Sequence, residues 1–441
     1  MRKTHSYLAW LAAGVGAMAL AACGGGSNDS SAQTPMPTPT PTPAPTPAPT
    51  ASTFANTALV SNTAAGVVDN LPANTVAAGD ASTFTVPQTV NPQLDPDLSH
   101  GWGVAFGPGS PVWVNDHASN KSSLYDGNGS LIAAQAAVAI PANAKGAAAG
   151  PTGIVANINT MACTTIAAAG CTPGVGFATG AGPALFIFDG TGGTISAWSA
   201  GTTATTEFDG SAQGDVFTGL GIYTQASNAT FLLAADFAHG VVDVFDTNFK
   251  QNTTAFPGGF KDPNLPAGYA PFGVQTIGNM IYVTFAKQPA GPGPEVDGAG
   301  LGVLDVFDGT GTLVKQLVAV GGVLNAPWGM AMAPAGFGSF GGDLLVGNFG
   351  DGRINVFDPN TGAMLGTLTD SLSNKPIHIP GLWGIAFGNG ALNQSATTLY
   401  YAAAPDMNTQ GLYGSIAAAA ATPAPPASTG GTPAPGPIGG Y

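Results

Sequence analysis

Acidic and amide side chains recur at one position of a repeated pattern, and side chains of this kind could bind a small polar ligand or a cation. Asp116, Asp189, Asp236 and Asn348 each end an apolar segment four residues before a Gly or Asn, and Lys287 holds the corresponding place in another copy. Carboxylate and amide oxygens are ligands for hard cations such as Ca²⁺, and the same side chains also cap tight turns. The pattern therefore predicts a polar ring and leaves both roles open.

Aromatic and histidine side chains recur beside these positions. Trp102, Trp328 and Trp383 each precede a Gly that opens an apolar segment, and His100 and His378 stand shortly before two of these Trp-Gly pairs. Three indoles around one opening could stack on a sugar ring or another flat ligand, or they could plug the opening. Two imidazoles at such a rim could bind a transition metal or transfer protons, although histidines in surface loops usually do neither.

The elements that must position these residues belong to a repeat of three apolar strands. The clearest copy lies between residues 325 and 358, where WGMAM, DLLVGN and RINVFD follow one another and predict a small antiparallel meander. Each copy begins with an opening dipeptide, a bulky or small residue followed by the Gly that starts the first apolar strand of the repeat. The six opening dipeptides recur at intervals of 50 to 66 residues, at Trp102-Gly103, Thr152-Gly153, Thr218-Gly219, Phe272-Gly273, Trp328-Gly329 and Trp383-Gly384.

Six such meanders predict an all-β protein, a six-bladed β-propeller, because radial packing covers both faces of every blade and leaves few open edges. A seven-bladed ring is the alternative, since the residues between Ala51 and Trp102 are not fully assigned to a blade. We expect the segment from Thr57 to Val60 to add the outer strand of the last blade and so close the ring. In such a ring the polar positions and the opening dipeptides share one face, around the mouth of the central channel.

A resemblance to known propellers is carried by HGWGVAFGPGSPVWVNDHASNKSSLYDGNGS, FDGTGGTISAW, MIYVTFAKQ and LDVFDGTGTLVKQL. These segments are similar to NHL-repeat and SMP-30-like six-bladed propellers and, more closely, to a family of exported bacterial propellers with no assigned function. The resemblance covers about residues 57–415 and implies the fold without an activity. SMP-30-like lactonases hold a divalent cation through a Glu of the first blade, together with Asn and Asp of other blades. The first Glu here is Glu207, so a lactonase or hydrolase with a channel-bound divalent cation is only the alternative function.

The chain is acidic and poor in cations. Its formal net charge is −14, and it contains only 10 Lys and Arg residues. So few cations cannot neutralise a row of phosphates, which argues against nucleic acid as a partner.

Both ends of the chain are predicted to lie outside the propeller. Residues 1–22 have a basic start and an apolar run too short to span a bilayer, which is the pattern of a lipoprotein signal peptide. Cys23 would then carry a lipid that tethers a soluble domain, and Gly24 after it suggests the outer membrane by resemblance to bacterial lipoproteins. Residues 23–52 form a Pro/Thr-rich spacer and residues 421–441 a disordered tail, which leaves residues 53–420 for the propeller.

The remaining features concern disulfide formation and function. Cys163 and Cys171 are close in sequence, so in an exported protein they most simply form one local disulfide. Sequence motifs of common hydrolases and nucleotide-binding enzymes do not occur in residues 53–420, and no catalytic residue is assigned. We therefore expect a monomeric binding or scaffolding module of the cell envelope, whose partner is a small polar ligand, a glycan or an envelope protein.

Overall fold

The computed structural model describes residues 53–63, 92–157 and 176–419. The predicted signal peptide, spacer and C-terminal tail lie outside the described residues, as do Cys23, Cys163 and Cys171. The lipid anchor and the disulfide therefore stay predictions. Within the described ranges, no helix has both the length and the hydropathy that crossing a membrane requires.

Strands make up most of the regular structure, and the first of them precede and build blades 1 and 2. Before blade 1 come β1 (Phe54–Ser61) and β2 (Gln93–Leu94). Blade 1 contains β3 (Gly101–Phe106), β4 (Val112–Asp116), β5 (Lys121–Tyr125) and β6 (Ala137–Ala139). Blade 2 begins with β7 (Pro151–Ala156), continues past a hairpin of β8 (Ala178–Thr179) and β9 (Gly182–Pro183), and is completed by β10 (Phe186–Gly190), β11 (Thr194–Trp198) and β12 (Thr205–Asp209).

Blades 3 to 6 follow in chain order. Blade 3 contains β13 (Phe217–Thr224), β14 (Thr230–Asp236) and β15 (Val241–Phe245). Blade 4 contains β16 (Tyr269–Ile277), β17 (Met280–Lys287), β18 (Gly302–Phe307) and β19 (Leu313–Val318). Blade 5 contains β20 (Pro327–Met332), a 3-10 turn (Gly338–Phe340), β21 (Leu344–Asn348), β22 (Ile354–Phe357) and β23 (Met364–Thr367). Blade 6 contains β24 (Leu382–Phe387), β25 (Thr398–Ala403), the helical turn α1 (Pro405–Asn408) and β26 (Leu412–Ala418).

These blades confirm the predicted six-bladed propeller and the role of its N-terminal strand. Strand β1 pairs antiparallel with β26 from Phe54 to Ser61 and so becomes the fourth strand of blade 6. Strand β2 extends the same sheet by pairing parallel with β1. The innermost strands contact one another in the order β3, β7, β13, β16, β20, β24 and back to β3, so the ring is closed by six blades rather than seven.

The opening dipeptides explain how the blades come so close together. A Cβ on the Gly of any opening dipeptide would lie closer than 3.0 Å to an atom of the next blade's innermost strand. At Gly103 the nearest atom is the main-chain oxygen of Thr152, and at Gly384 it is that of Trp102, which closes the ring. A main-chain atom cannot rotate away as a side chain can, so a residue without a side chain is required at these positions.

Turn geometry explains two further repeated features. The residue that ends the turn between the second and third strands has a positive φ, between 56° and 76°, at Asn120, Gly193, Gly240 and Gly352. Gly and Asn tolerate this conformation better than other residues. At the other end of the third strand, an Asp carboxylate accepts backbone N–H groups of the next turn. This second arrangement recurs at Asp126, Asp246, Asp308 and Asp358.

Apolar side chains are buried mainly between blades. The described residues include six buried clusters, one between each pair of adjacent blades, and a seventh at the channel mouth. Between blades 1 and 2, for example, Trp113 stacks on Phe186 with ring centroids 4.2 Å apart. Burial of such aromatic side chains between adjacent blades makes the propeller rigid. The positions of the side chains at its mouth are thereby fixed.

Candidate ligand-binding site at the channel mouth

Six aromatic side chains meet at the mouth of the channel, and together they are called the mouth cluster. Trp102 of blade 1 and Trp383 of blade 6 stack with ring centroids 3.5 Å apart. Trp328 of blade 5 stands edge-on to both, at 6.4 and 6.1 Å. The structure thus brings together the three indoles that the sequence singled out. The mouth cluster consists of Trp102, Phe237, Phe272, Trp328, Phe349 and Trp383.

A β-bulge at each opening dipeptide places these side chains at the mouth. Register between β3 and β4 shifts between Gly101 and Val104, around Trp102. Register between β24 and β25 shifts in the same way around Trp383. A bulge bends the strand and re-aims the side chain at that point. The first residue of the dipeptide therefore points to the mouth, whereas the Gly after it faces the neighbouring blade.

Trp328 differs from the other two indoles because it is only half-buried. Its Nε1 donates a hydrogen bond of 2.6 Å to the main-chain oxygen of Thr218, which opens blade 3. Trp102 and Trp383 are 5% and 1% exposed. Trp328 therefore reaches across the mouth from blade 5 to blade 3.

Three buried nitrogen atoms at the mouth have no hydrogen-bond partner in the described residues. They are Nε1 of Trp102, Nε1 of Trp383 and Nε2 of His100. Leaving a buried polar group unsatisfied costs about 1–3 kcal/mol, and most such groups in folded proteins have a partner. Two of the three are indole N–H groups, which can only donate. The mouth therefore offers unsatisfied donors that acceptor oxygens would satisfy.

His100 lies beside the mouth cluster and next to a second imidazole. Its ring centroid is 5.2 Å from that of Trp102 and 4.5 Å from that of His117. Burial, followed by the charge of His117, holds the pKa of His100 well below its usual value. Burial also lowers the pKa of His117 to about 4, and its Nε2 shares a hydrogen bond of 2.9 Å with Thr191 Oγ1. Both imidazoles are therefore neutral at pH 7.

The sequence paired His100 with His378, whereas the ring that the structure places against His100 is that of His117. His378 is 7% exposed. It stands between Ile377 and Ile379, which belong to the core between blades 5 and 6. His117 directly follows Asp116, the last residue of β4. This position was the only indication in the sequence that His117 would lie near the mouth.

Three of the predicted polar residues share one position at the end of the second strand of their blades: Asp116, Asp236 and Asn348. Each of them pairs with the residue just before an opening dipeptide. Their side chains nevertheless have different partners. Asp116 Oδ2 accepts a hydrogen bond of 2.6 Å from Ser123, and Asn348 Nδ2 donates one of 2.9 Å to the main-chain oxygen of Val323. Asp236 Oδ1 accepts backbone N–H groups of its own turn. Turn capping accounts for one of the three, and a ligand-binding role for all of them stays a prediction.

Asp189 and Lys287 lie outside that register. Gly190 takes the paired position in blade 2, so Asp189 is one residue nearer the channel and accepts a hydrogen bond of 2.7 Å from Thr152 Oγ1. Burial raises the pKa of Asp189 to about 7. Lys287 lies at the outer end of β17, where its Nζ donates to the main-chain oxygen of Ala267 at 3.1 Å. The turn after β10 has three residues between the paired Gly190 and Thr194, whereas the turn after β4 has four between Asp116 and Lys121. Side chains at equal sequence spacing therefore fall in different registers.

A second polar group lies on blade 3, at the same end as the opening dipeptide. His239 Nδ1 is 2.5 Å from Asp236 Oδ2 and 3.5 Å from Asp215 Oδ1. Asp215 and Asp236 are 7% and 1% exposed, whereas the His239 side chain is 48% exposed. The hydrogen bond to Asp236 raises the pKa of His239, and burial raises the pKa of Asp215. Sequence reasoning missed Asp215 because it belongs to the segment before β13, outside the repeat.

Below the mouth, most of the side chains that line the channel are aliphatic. They enclose a cavity of about 40 Å³, room for a few water molecules. None of the described residues that line this cavity carries a carboxylate, and Ca²⁺ prefers six to eight oxygen ligands. Each blade contributes the aliphatic residue that follows its opening Gly: Val104, Ile154, Leu220, Val274, Met330 and Ile385.

Fold and site together define a six-bladed β-propeller with an aromatic channel mouth. No protein-family model matches the chain. It is 33% identical over 331 residues to uncharacterized protein R648 of Acanthamoeba polyphaga mimivirus, across 73% of this chain and 76% of the viral protein. It is 31% identical over 333 residues to uncharacterized protein L690 of the same virus, across 73% and 81% of the two chains. The chain therefore belongs to the family of these two proteins.

Similarity to solved structures is weak. Virginiamycin B lyase from Staphylococcus aureus superposes with a TM-score of 0.40 and 14% sequence identity, across 73% of this chain and 95% of the lyase. Similarity at this level carries no argument about activity. The two relatives described above are viral, so these comparisons give no support to the bacterial, exported family expected from the sequence.

Proposed function

We propose that this chain is a lipid-anchored cell-envelope propeller that acts as a binding module, and that its mouth cluster binds a small polar ligand rich in acceptor oxygens, such as a glycan. The observation that carries the proposal is the pair of buried indole N–H groups, on Trp102 and Trp383, that have no acceptor among the described residues. Donors of this kind are costly unless a partner completes them. A ligand that supplies hydroxyl or carboxylate oxygens would remove that cost.

The arrangement of the rings supports a flat or ring-shaped ligand. Trp328 is the half-buried indole, and its single hydrogen bond to Thr218 spans the mouth. Rotation of that side chain would open space beside the stacked pair of Trp102 and Trp383, which it now meets edge-on. The exposed face of Trp328 would then pack against the ligand, because indole faces combine apolar area with a polar edge.

The size of the channel cavity supports binding at the mouth rather than chemistry on the axis. Aliphatic side chains from all six blades narrow the cavity below the indoles to about 40 Å³. This volume has room for a few water molecules but not for a glycan. We therefore place the ligand on the rim, and the hydrolase alternative gains no support from the described channel lining.

The cellular location in this proposal rests on the sequence. The basic start and short apolar run of residues 1–22, followed by Cys23, fit a cleaved and lipidated N-terminus, and residues 23–52 fit a spacer. Such an anchor would hold the propeller at a membrane surface. Mass spectrometry of the membrane fraction would detect the diacylglycerol on Cys23.

Intrinsic tryptophan fluorescence tests the ligand directly. The full chain would be titrated with a panel of neutral and acidic oligosaccharides, and the proposal expects a saturable change for at least one of them. Trp328→Ala should weaken that binding by about 5- to 30-fold, since it removes one aromatic contact and alters the hydrogen bonding of the mouth, together worth about 1–2 kcal/mol.

Trp198→Ala is the matched control, because Trp198 lies on blade 2 and donates its Nε1 hydrogen to the main-chain oxygen of Gly201. The control should bind the same oligosaccharide with unchanged affinity. No saturable binding across the panel, or equal weakening by Trp328→Ala and Trp198→Ala, would contradict a ligand site at the mouth cluster.

A further inference from the structure

We propose that Asp215, Asp236 and His239 form a binding site for a divalent transition-metal ion such as Zn²⁺ on the mouth side of blade 3. One oxygen from each carboxylate and one imidazole nitrogen lie within 4.8 Å of one another. Two oxygen ligands and one nitrogen ligand suit Zn²⁺, whereas Ca²⁺ and Mg²⁺ favour oxygen alone. The site is separate from the mouth cluster and does not depend on the proposed ligand.

A largely buried carboxylate that accepts no hydrogen bond, and whose one ion-pair partner is the imidazole of His239, is the observation that points to an ion. The Asp215 side chain is 6% exposed, and neither of its oxygens accepts a hydrogen bond from the described residues. Its Oδ1 faces His239 Nδ1 at 3.5 Å, which is too long for a hydrogen bond. A buried carboxylate without a donor is costly, and a bound cation would satisfy it.

The distances fit the insertion of an ion with small movements. In a tetrahedral site with Zn²⁺ about 2.0–2.1 Å from each ligand, ligand atoms lie about 3.3 Å apart. The separation between Asp215 Oδ1 and His239 Nδ1 is already 3.5 Å, whereas that between Asp236 Oδ2 and His239 Nδ1 is 2.5 Å. The latter pair must open by about 0.8 Å. His239 can make this movement because its side chain is 48% exposed.

The surrounding charges also favour a cation. Asp243 lies close enough to Asp215 and Asp236 for their charges to raise its pKa, after burial, to about 6. The charged groups that shift the pKa values of Asp215, His239 and Asp243 are the side chains of this cluster itself. No Lys or Arg of the described residues contributes to these shifts. Three carboxylates thus share one partly exposed imidazole. An ion of charge +2 would neutralise most of the repulsion.

The backbone holds the three ligands in place. Asp236 ends β14, and its Oδ1 accepts the N–H groups of Val216, Ala238 and His239. Its Oδ2 is therefore left to face the imidazole. With three protein ligands and an exposed His239, the fourth coordination position would face solvent, as in zinc sites that bind a water or a substrate.

Calorimetric titration with ZnCl₂, together with metal analysis after dialysis, tests the site in the full chain. A background with Cys23, Cys163 and Cys171 all changed to Ser removes the three cysteines outside the described residues, which could bind Zn²⁺ as free thiols. We expect one ion per chain. Asp215→Asn and His239→Ala should each weaken binding by at least about tenfold, since losing even an indirect supporting contact of a metal ligand costs 10- to 100-fold.

Asp308→Asn is the matched control, because Asp308 only caps its own turn on blade 4. Circular dichroism spectra of all variants should match that of the parent, which separates loss of metal from loss of fold. Affinity should also fall in acid solution, since protons compete with the metal for the imidazole nitrogen. The site is refuted if the parent binds no Zn²⁺, or if Asp215→Asn and His239→Ala bind it as tightly as Asp308→Asn.

Discussion

Substitution of Gly384 by Ala would test whether the opening dipeptides set the spacing of the blades. A Cβ on this residue would lie 2.6 Å from the main-chain oxygen of Trp102 and 2.9 Å from the main-chain nitrogen of Val104. Ordinary van der Waals contact begins at 3.4 Å, so blades 6 and 1 would have to separate by several tenths of an ångström. They would separate where Trp102 stacks on Trp383 at 3.5 Å.

Both obstructing atoms belong to the main chain and cannot rotate away. We therefore expect the added Cβ to lower the free energy of unfolding by about 3 kcal/mol, the upper end of the usual range for an overpacked core. For a propeller of this size that loss corresponds to a fall in Tm of about 4 °C. Thermal unfolding followed by circular dichroism would measure it. Gly291→Ala is the control, since its Cβ would meet no atom within 4 Å. Equal Tm values for Gly384→Ala and the parent, or an equal loss in Gly291→Ala, would refute the spacing role.

Three further predictions follow from the described contacts. Burial raises the pKa of Asp305 to about 8 and that of Asp189 to about 7. The folded chain therefore binds more protons than the unfolded chain above about pH 4, so the urea midpoint should fall as pH rises from 5 to 8, and less so in Asp305→Asn. Asn115→Leu removes two hydrogen bonds from blade 1 to blade 2, of 3.0 and 3.1 Å; it should cost about 2 kcal/mol in urea unfolding. Deletion of residues up to 61 exposes the edge of β26, and size-exclusion chromatography should show aggregation.

The number of blades was predictable because its physical cause leaves a mark in the sequence. Close approach between innermost strands requires Gly, so every blade carries one at the same place in its repeat. The closing strand was predictable for a related reason. The segment from Thr57 to Val60 is apolar and stands before the first opening dipeptide, where the last blade still lacks an outer strand.

The arrangement of the polar side chains was predictable only in part. A bulge at each opening dipeptide shifts the register, and residue spacing alone does not show how a bulge re-aims its neighbours. The turn between the second and third strands is also one residue shorter in blade 2 than in blade 1, so Asp189 points to Thr152 in its own blade rather than sharing the register of Asp116. The stacking of Trp102 on Trp383 depends in turn on ring closure, which joins residues far apart in the sequence.

Asp215 illustrates a kind of residue that repeat analysis misses. It lies in the segment between β12 and β13, where the chain passes from one blade to the next and follows no pattern. Its proximity to Asp236 and His239 arises from tertiary packing. Candidate sites built from connecting segments of this kind become visible only when the side chains are placed in space.

Nuclear magnetic resonance of the chain labelled with ¹⁵N-tryptophan would test the proposed mouth site most directly. On addition of the oligosaccharide that binds in the fluorescence titration, the indole N–H signals of Trp102 and Trp383 should move downfield as the two donors gain acceptors. Trp113 is the internal control, because its Nε1 is also buried and unpartnered but lies between blades 1 and 2. Movement of the Trp113 signal alone, with those of Trp102 and Trp383 unchanged, would contradict ligand binding at the channel mouth.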